Sequence, residues 1–498
     1  MSERLVIIGF GPVAASLIEG MLPAVLSGDC ELTVLGGEQH AAYNRVLLAE
    51  VAIGAAKPEH LSMADESRLR AAGVDLRLGV AATGVDRARR VVHTGDGHLP
   101  YDRLVFATGA RPVIPSLAGL NFDPHADTAL PAGVLALRTL DDALQMQSLL
   151  RGGGRVLVLG GGILGLEAAL AMASAGYEPV LVHHGPTPLG RVVDLDGGTL
   201  LMRQLEAAGV SVLSEVRATG IVKHQGRFSA LATETHGPIP ADALLLSTGV
   251  RARTELAEGC GLNAGSGIMV NEQLMADSSA RIFAIGDCAQ VAGQRPAGLL
   301  APGWAQAGWL AQFLLTHPAP HPAGPAPDLS SIPGPEAHGG DILMLKGQGL
   351  ELTAAGTVQV GLFQDPDQQV TVYADPTSGQ YLKIVSRDRV PTGFLALGLP
   401  RTGAELALNF ERGTALPADP ALLLRLDAPF EDSQASAAGA EDQLCRCSGA
   451  TYGQVSDAIE AGCDTVAAVG ESCRAGTGCG GCRDRIEEML KLLPASSR

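Results

Sequence analysis

Two glycine-rich turns, each following an apolar strand and opening a helix, constrain this chain more than any other feature. The first is Gly9-Phe-Gly11-Pro-Val-Ala14, behind a strand expected over residues 4–8 and ahead of a helix over 13–22. The second is Gly160-Gly-Gly162-Ile-Leu-Gly165, between a strand over 155–159 and a helix over 164–175. In such a turn the first glycine permits the tight reversal, and the second lets backbone approach a pyrophosphate. The third small residue, Ala14 or Gly165, lets the helix pack closely on the strand. The helix N-terminus then offers unpaired N–H groups to phosphate. Two copies imply two dinucleotides, most economically a flavin and a nicotinamide. Further strands expected over 31–35, 104–107 and 179–183 alternate with helices, which argues for parallel α/β sheets.

At 498 residues the chain has room for about three or four domains. Its formal net charge of -17 repels phosphate backbones and anionic lipid, which argues against nucleic-acid or membrane-surface binding. The apolar run over 5–26 is interrupted by Gly9, Gly11, Glu19 and Gly20, too broken for a membrane span or a cleavable leader. The expected location is therefore the cytoplasm, where thiols stay reduced. Six of the nine cysteines fall in the last 54 residues, a concentration that suggests a metal site rather than a disulfide scaffold.

The acidic ribose ligand usual after the second strand of such units is displaced in both. Gly36-Gly37 occupy its place in the first unit, with Glu38 beyond them; His183-His184 occupy it in the second. The histidine pair reads either as an exposed loop or as a ribose contact that would attract phosphate when protonated. No arginine immediately follows the second strand, so NADH is favoured over NADPH.

Several segments then resemble a known pattern. Leu104-Val-Phe-Ala-Thr108-Gly109-Ala and Leu246-Ser-Thr248-Gly249-Val are similar to the strand-to-loop crossings of two-dinucleotide flavoprotein reductases. Arg281-Ile-Phe-Ala-Ile-Gly286-Asp287 resembles their late flavin motif, whose Asp meets the ribityl chain. Ala42-Tyr43-Asn44-Arg45-Val-Leu-Leu48, Arg138-Thr139-Leu-Asp141-Asp142 and Pro302-Gly303-Trp304 narrow the likeness. They resemble the flavoprotein part of NAD(P)H-dependent nitrite reductase large subunits and of assimilatory nitrate reductase electron-transfer subunits.

The resemblance covers residues 1–310 and the cysteine module. It implies a glutathione-reductase-like α/β fold with two Rossmann-like domains: FAD binding by 1–115 and 250–315, and NAD(P)H binding by 116–249. It implies cofactor contacts at Gly9, Gly11, Ala14, Glu38, Asn44, Arg45, Thr108, Gly109, Gly160, Gly162, Gly165, Glu167, Thr248, Gly249, Gly286, Asp287 and Trp304. Glu167 matches the family position near the nicotinamide and is the expected catalytic residue. Trp309 reads as a core aromatic. No cysteine pair stands near 43–48, which excludes the dithiol relay of glutathione-reductase-like enzymes.

The C-terminal cysteines carry the sharpest spacing: Cys445-x-Cys447, then Cys479-x-x-Cys482. Four thiolates in two close pairs can complete two tetrahedral irons bridged by sulfide, and the spacing resembles the BFD-like [2Fe–2S] module. A structural zinc knuckle is the competing occupant, although zinc pairs more often read Cys-x2–4-Cys on both sides. Gly476 and Gly478 supply backbone N–H groups that could tune a cluster. Cys463 and Cys473 read as spare thiols.

Residues 316–340, with seven prolines, form an expected linker to a small β-containing domain over 341–427, where period-2 runs cover 369–374 and 380–385. Residues 428–442 read as a second linker, and 443–498 as the cluster module, ending in a helix over 483–493. That second linker either tethers a mobile electron carrier or leads to a docked module. The resemblance thus implies an NAD(P)H:FAD oxidoreductase that passes electrons through the cluster to a molybdenum-dependent nitrate reductase catalytic subunit. No sirohaem domain is expected after the module, an expectation that favours that reading over a self-contained nitrite reductase. A rubredoxin or ferredoxin reductase is the enzyme rival, and a flavin-based sensor the non-enzymatic one.

Overall fold

The computed structural model describes residues 2–123, 127–296, 298–319, 332–335, 342–347, 349–427, 439–478 and 480–492. Two five-stranded parallel sheets form its centre, and each has a strand ending in a glycine turn as its middle member. In the first, Glu3–Ile8 pairs in parallel with Cys30–Gly36 on one side and Arg103–Phe106 on the other. Asp75–Leu78 and Ile282–Ala284 complete its edges. In the second, Val156–Leu159 lies between Pro179–Val182 and Ala243–Leu246, with Ser211–Leu213 and Val134–Ala136 outside them. The near-continuous apolar strands fit this arrangement, because a parallel sheet is covered by helices on both faces.

The first sheet takes one edge strand, Ile282–Ala284, from beyond the second sheet in sequence. The second unit, with the expected nicotinamide site, is therefore inserted within the first, the flavin-type unit by the expectation above. Two short strands join the units at the crossing: Ala110–Pro112 pairs antiparallel with Val250–Ala252.

The helix expected over 13–22 runs longer, Pro12–Ser27, through Pro23, and stops at Gly28 in the left-handed region. Its buried residues, from Pro12 to Leu22, lie before Pro23, and the helix packs along Leu300–Thr316, where Gly20 meets Ala311 and Gly303 meets Val13. Tertiary burial there outweighs the lost donor of the interior proline.

Beyond residue 341, a five-stranded antiparallel sheet in the order Ile342–Gly347, Leu350–Gly356, Val390–Leu397, Gln380–Arg387, Gln369–Asp375 is covered by the amphipathic helix Pro400–Arg412. A buried ion pair ties this sheet to the second unit: Lys383 Nζ donates to Asp194 Oδ2 at 2.8 Å, and Tyr381 Oη donates to the same oxygen at 2.7 Å. The last unit packs three helices, Tyr452–Glu460, Val466–Cys473 and Arg483–Leu492, around Val455, Ile459, Val469 and Ile486. Residues 428–438, most of the expected second linker, and 320–331, within the first, lie outside the described residues. No helix among the described residues is long and apolar enough to cross a membrane.

Candidate functional site: two dinucleotide turns and a thiolate module

Both turns are built around a residue that no side chain could replace. Gly9 and Gly160 sit at φ of 110° and 127°, and a Cβ at either would lie within 2.1 Å of the neighbouring strand's carbonyl oxygen, Ala107 O or Ser247 O. Gly11 and Gly162 then occupy the N-cap positions of their helices, with no side chain capping the exposed N–H groups and open space where a Cβ would stand. An uncapped, side-chain-free helix N-terminus is the donor set a pyrophosphate needs, so these residues fit a dinucleotide. Ala14 and Gly165 are buried against the strands, and Glu167 lies half-buried on the second helix.

Thr108 and Thr248 brace the crossing. Thr108 Oγ1 donates to Arg253 O at 2.9 Å, and Thr248 Oγ1 donates to Val113 O at 2.6 Å. Gly109 and Gly249 beside them take positive φ. Next to the crossing, Ala110, Val250, Ala252 and Asp287 help line a cavity of about 190 Å3. Gly286 N donates to Gln306 Oε1 at 2.8 Å, which holds the turn that presents Asp287. Arg138 Nη2 donates to Asp287 Oδ2 at 2.7 Å and reaches Ala110 O through Nε at 3.2 Å. Gln306, absent from the sequence-based site, has no motif of its own. Arg138 belongs to the Arg138-Thr139-Leu-Asp141-Asp142 segment, but nothing in the sequence pairs it with a residue 149 positions away.

Glu38 and Arg45 form one network with Tyr43. Arg45 Nη2 donates to Glu38 Oε1 at 2.6 Å, and Tyr43 Oη donates to Glu38 Oε2 at 2.6 Å. Tyr43 Oη also accepts from Leu140 N at 2.9 Å, and burial raises its pKa. These contacts tie the segment after the first unit's second strand to the start of the helix Leu140–Leu150.

Asn44, 2% exposed, points elsewhere. Its Oδ1 accepts from Val46 N, while its Nδ2 donates to Thr477 O at 2.6 Å and to Gly478 O at 3.4 Å. The cysteine module therefore rests on the flavin-type unit through the loop just before its second cysteine pair. Trp304 faces the same loop: its Cη2 would lie 3.6 Å from a Cβ at Gly478, while its Nε1 donates to Pro12 O at 3.4 Å. Gly478 must stay bare, because its Cβ would come within 2.7 Å of Cys447 Cβ. Two further contacts hold the module: Arg446 Nε donates to Glu411 Oε1 at 3.0 Å, and Lys346 Nζ to Gly481 O at 3.5 Å. Trp309, partly buried, stacks on Phe313 at 5.2 Å.

Of the four expected ligand thiols, Cys445, Cys447 and Cys482 are described and Cys479 lies outside the described residues. Cys445 and Cys482 are buried, and Gly476 N donates to Cys482 Sγ at 3.1 Å. The Cys482 thiol holds Cys445 down to about 5, with Ser448 and backbone N–H groups assisting against the opposing effect of burial. A thiol that ionises this readily suits a thiolate ligand. Among the described residues no three ligating side chains are arranged to hold one metal ion. A [2Fe–2S] centre asks for something else, two thiolates on each of two irons. Cys463 and Cys473 pack against the module's core.

His183 departs from both readings offered by the sequence. It is 5% exposed, packs under Gly161 of the second turn, and shares a hydrogen bond of 3.0 Å between Nε2 and Ser214 Oγ. Burial, then the neighbouring His184, pushes its pKa down to about 4. It is a neutral buried ring, and only His184 is exposed.

Comparison with known proteins places these features in context. The family model "Pyridine nucleotide-disulphide oxidoreductase" matches residues 3–307, and "BFD-like [2Fe-2S] binding domain" matches 443–491. The chain is 30% identical to the NADH nitrite reductase large subunit of Escherichia coli (strain K12), over 98% of this chain and 55% of the relative. It is 26% identical to the assimilatory nitrate reductase electron transfer subunit of Bacillus subtilis (strain 168), over 99% of this chain and 60% of the relative. The chain thus spans about half the length of the curated relatives it matches. Among solved structures, the covalent putidaredoxin reductase–putidaredoxin complex shares the fold, with a TM-score of 0.70 at 22% identity, covering 84% of this chain and 95% of that one.

Proposed function

The chain belongs to the pyridine nucleotide-disulphide oxidoreductase family, and from that premise we propose that it is an electron-transfer subunit serving a molybdenum-dependent assimilatory nitrate reductase. FAD and NAD(P)H are its dinucleotides and its C-terminal domain is of the [2Fe–2S] type. When bound, the flavin accepts hydride and releases electrons singly, and the cluster takes them one at a time.

The observation that carries the relay is the contact of Asn44 and Trp304 with the Thr477–Gly478 loop. One end of Trp304 touches the first turn of the pyrophosphate helix and the other touches the loop beside Cys447. Asn44 holds that loop in place, so the thiolate module is kept against the flavin-type domain. Gly11 and Gly162 would present N–H groups to the two pyrophosphates, and the paired crossing strands join the two units. Arg138 and Gln306 orient Asp287 and its turn. Glu167 lies on the helix opened by the second turn, where it would orient the nicotinamide.

The name of the Bacillus subtilis relative supports this choice of acceptor. The deciding measurement combines NADH, the purified holoprotein and a nitrate reductase catalytic subunit. Nitrite formation that requires all three supports the reading. Nitrite formation without this protein, or none with it, overturns it. A second reading, the reductase portion of a nitrite reductase, is favoured by the Escherichia coli relative. NADH-dependent transfer to a sirohaem partner, with nitrite consumed and none formed from nitrate, would establish it instead.

A further inference from the structure

A charged cavity lies at the opposite edge of the flavin-type sheet from the glycine turn. The strands Glu3–Ile8, Arg103–Phe106 and Ile282–Ala284 point their carboxyl ends at Gly9, Thr108 and Gly286. Near the start of the last two, Arg87, Arg90, Tyr101, Asp277, Ser279 and Arg281 line a cavity of about 430 Å3.

With Asp102 near Arg90 and Arg281, three arginines and one carboxylate line the cavity, in a chain whose net charge is -17. That carboxylate is already engaged. Asp277 accepts from Arg87 Nη2 at 2.8 Å, and from Ser279 N and Oγ at 2.9 and 2.5 Å. Two of the cavity's residues each keep a buried donor without a partner among the described residues. Tyr101 is 1% exposed and its Oη has no hydrogen-bond partner, nor does the buried Arg90 Nη1. A buried donor without a partner is costly, so such groups in a cavity mark a missing acceptor. Arg90 is also held at a φ of 55°, where a turn favours glycine or asparagine. The chain carries an arginine at that position nonetheless, and that arginine lines the cavity.

We propose that this cavity binds a small oxyanion, the phosphate or carboxylate group of a metabolite or the free ion, between Arg90, Arg281 and the Tyr101 hydroxyl. Guanidinium forks match carboxylate and phosphate oxygens in pairs, and a phenol donates a third hydrogen bond to the same group. A cation would be repelled by the arginine excess, and an apolar ligand would leave the Tyr101 hydroxyl without an acceptor. The site is independent of the electron-transfer reading, since it shares no residue with the dinucleotide turns or the thiolates.

Calorimetric titration of the purified holoprotein with inorganic phosphate, and separately with succinate, tests this. Binding of either is expected in wild type, the tighter of the two identifying the source chemistry. Arg90→Gly removes the guanidinium while giving the turn the residue its backbone favours, so it folds; Tyr101→Phe removes only a partnerless hydroxyl. Each should weaken binding at least tenfold while flavin absorbance and NADH-driven flavin reduction stay at wild-type levels. In anion-free buffer, Tyr101→Phe should melt no lower than wild type. Absent binding of both probes, equal binding to wild type and Arg90→Gly, or a lowered melting point of Tyr101→Phe without anion each overturns the site.

Discussion

Asn44 Nδ2 donates to the carbonyl of Thr477 at 2.6 Å, joining residues 433 positions apart and seating the cysteine loop on the flavin-type domain. Asn44 is 2% exposed, so this carbonyl is satisfied by protein rather than by water. The contact bears on how the thiolate module works. A tethered carrier would need to leave this seat in every cycle, whereas a docked module transfers from it.

Replacing Asn44 by Ala is therefore expected to loosen the module. Removing the buried donor strands the Thr477 carbonyl at a cost of about 1–3 kcal/mol. Hydrogen exchange over residues 474–478 should speed up, and cluster reduction after flavin reduction should slow by tenfold or more in stopped-flow traces. Glu411→Gln, which weakens the Arg446 contact on the other side, should produce a smaller slowing and leave flavin reduction by NADH unchanged. Wild-type transfer rates in both variants would favour a mobile carrier.

Cluster content can be checked directly. Cys445→Ser or Cys479→Ser should remove the iron and its absorbance while NADH still reduces the flavin, because thiolates and dinucleotide turns lie on separate units. Anaerobic protein should carry two irons per chain, the number a [2Fe–2S] centre holds. One zinc and no iron would restore the zinc-knuckle reading.

Nucleotide preference should favour NADH and stay constant with pH. His183 is buried and its pKa lies at about 4, so it carries no charge to attract a 2′-phosphate above that value. The ratio of kcat/KM for NADH over NADPH should exceed one and vary little between pH 6 and 8. A ratio that changes with pH across that range would overturn this expectation.

The same burial makes stability pH-dependent. His183 binds its proton at about 4 in the folded chain against an ordinary 6.5, so the unfolded chain holds more protons between those values. Stability contributed by the neutral ring is complete above pH 6.5 and is lost as pH falls toward 4, by on the order of 3 kcal/mol. Thermal melts should steepen over that window, and His183→Gln should flatten the slope.

Lys383→Met should destabilise the joint between the second sheet and the antiparallel domain. It leaves Asp194, 7% exposed, without its cation, a loss of roughly 3–5 kcal/mol where a buried pair is broken on one side. Denaturant unfolding monitored at the antiparallel domain should shift to lower concentration. Replacing Asp194 together with Lys383 by apolar residues should recover part of the loss.

The parallel sheets were legible in the sequence because what specifies them is local. An apolar strand, a glycine at positive φ and a small residue on the following helix span fewer than fifteen residues, and each turn carries the whole signal. The family's cofactors, FAD, NAD(P)H and a [2Fe–2S] cluster, were legible for the same reason: thiol spacing and turn chemistry are written over short stretches. Tertiary structure decided the rest. The acidic stretch at 428–442 suited a mobile tether as well as a docked one; a hydrogen bond from residue 44 to residue 477 favours the docked one. His183 resembled a loop residue until the second turn closed over it, and Asp287 had no visible partner until the fold brought Arg138 within 2.7 Å. Such contacts depend on where distant segments meet. Hydrophobic period and turn chemistry report only a residue's near neighbours, so a polar side chain committed to a partner hundreds of positions away leaves no mark in the sequence around it.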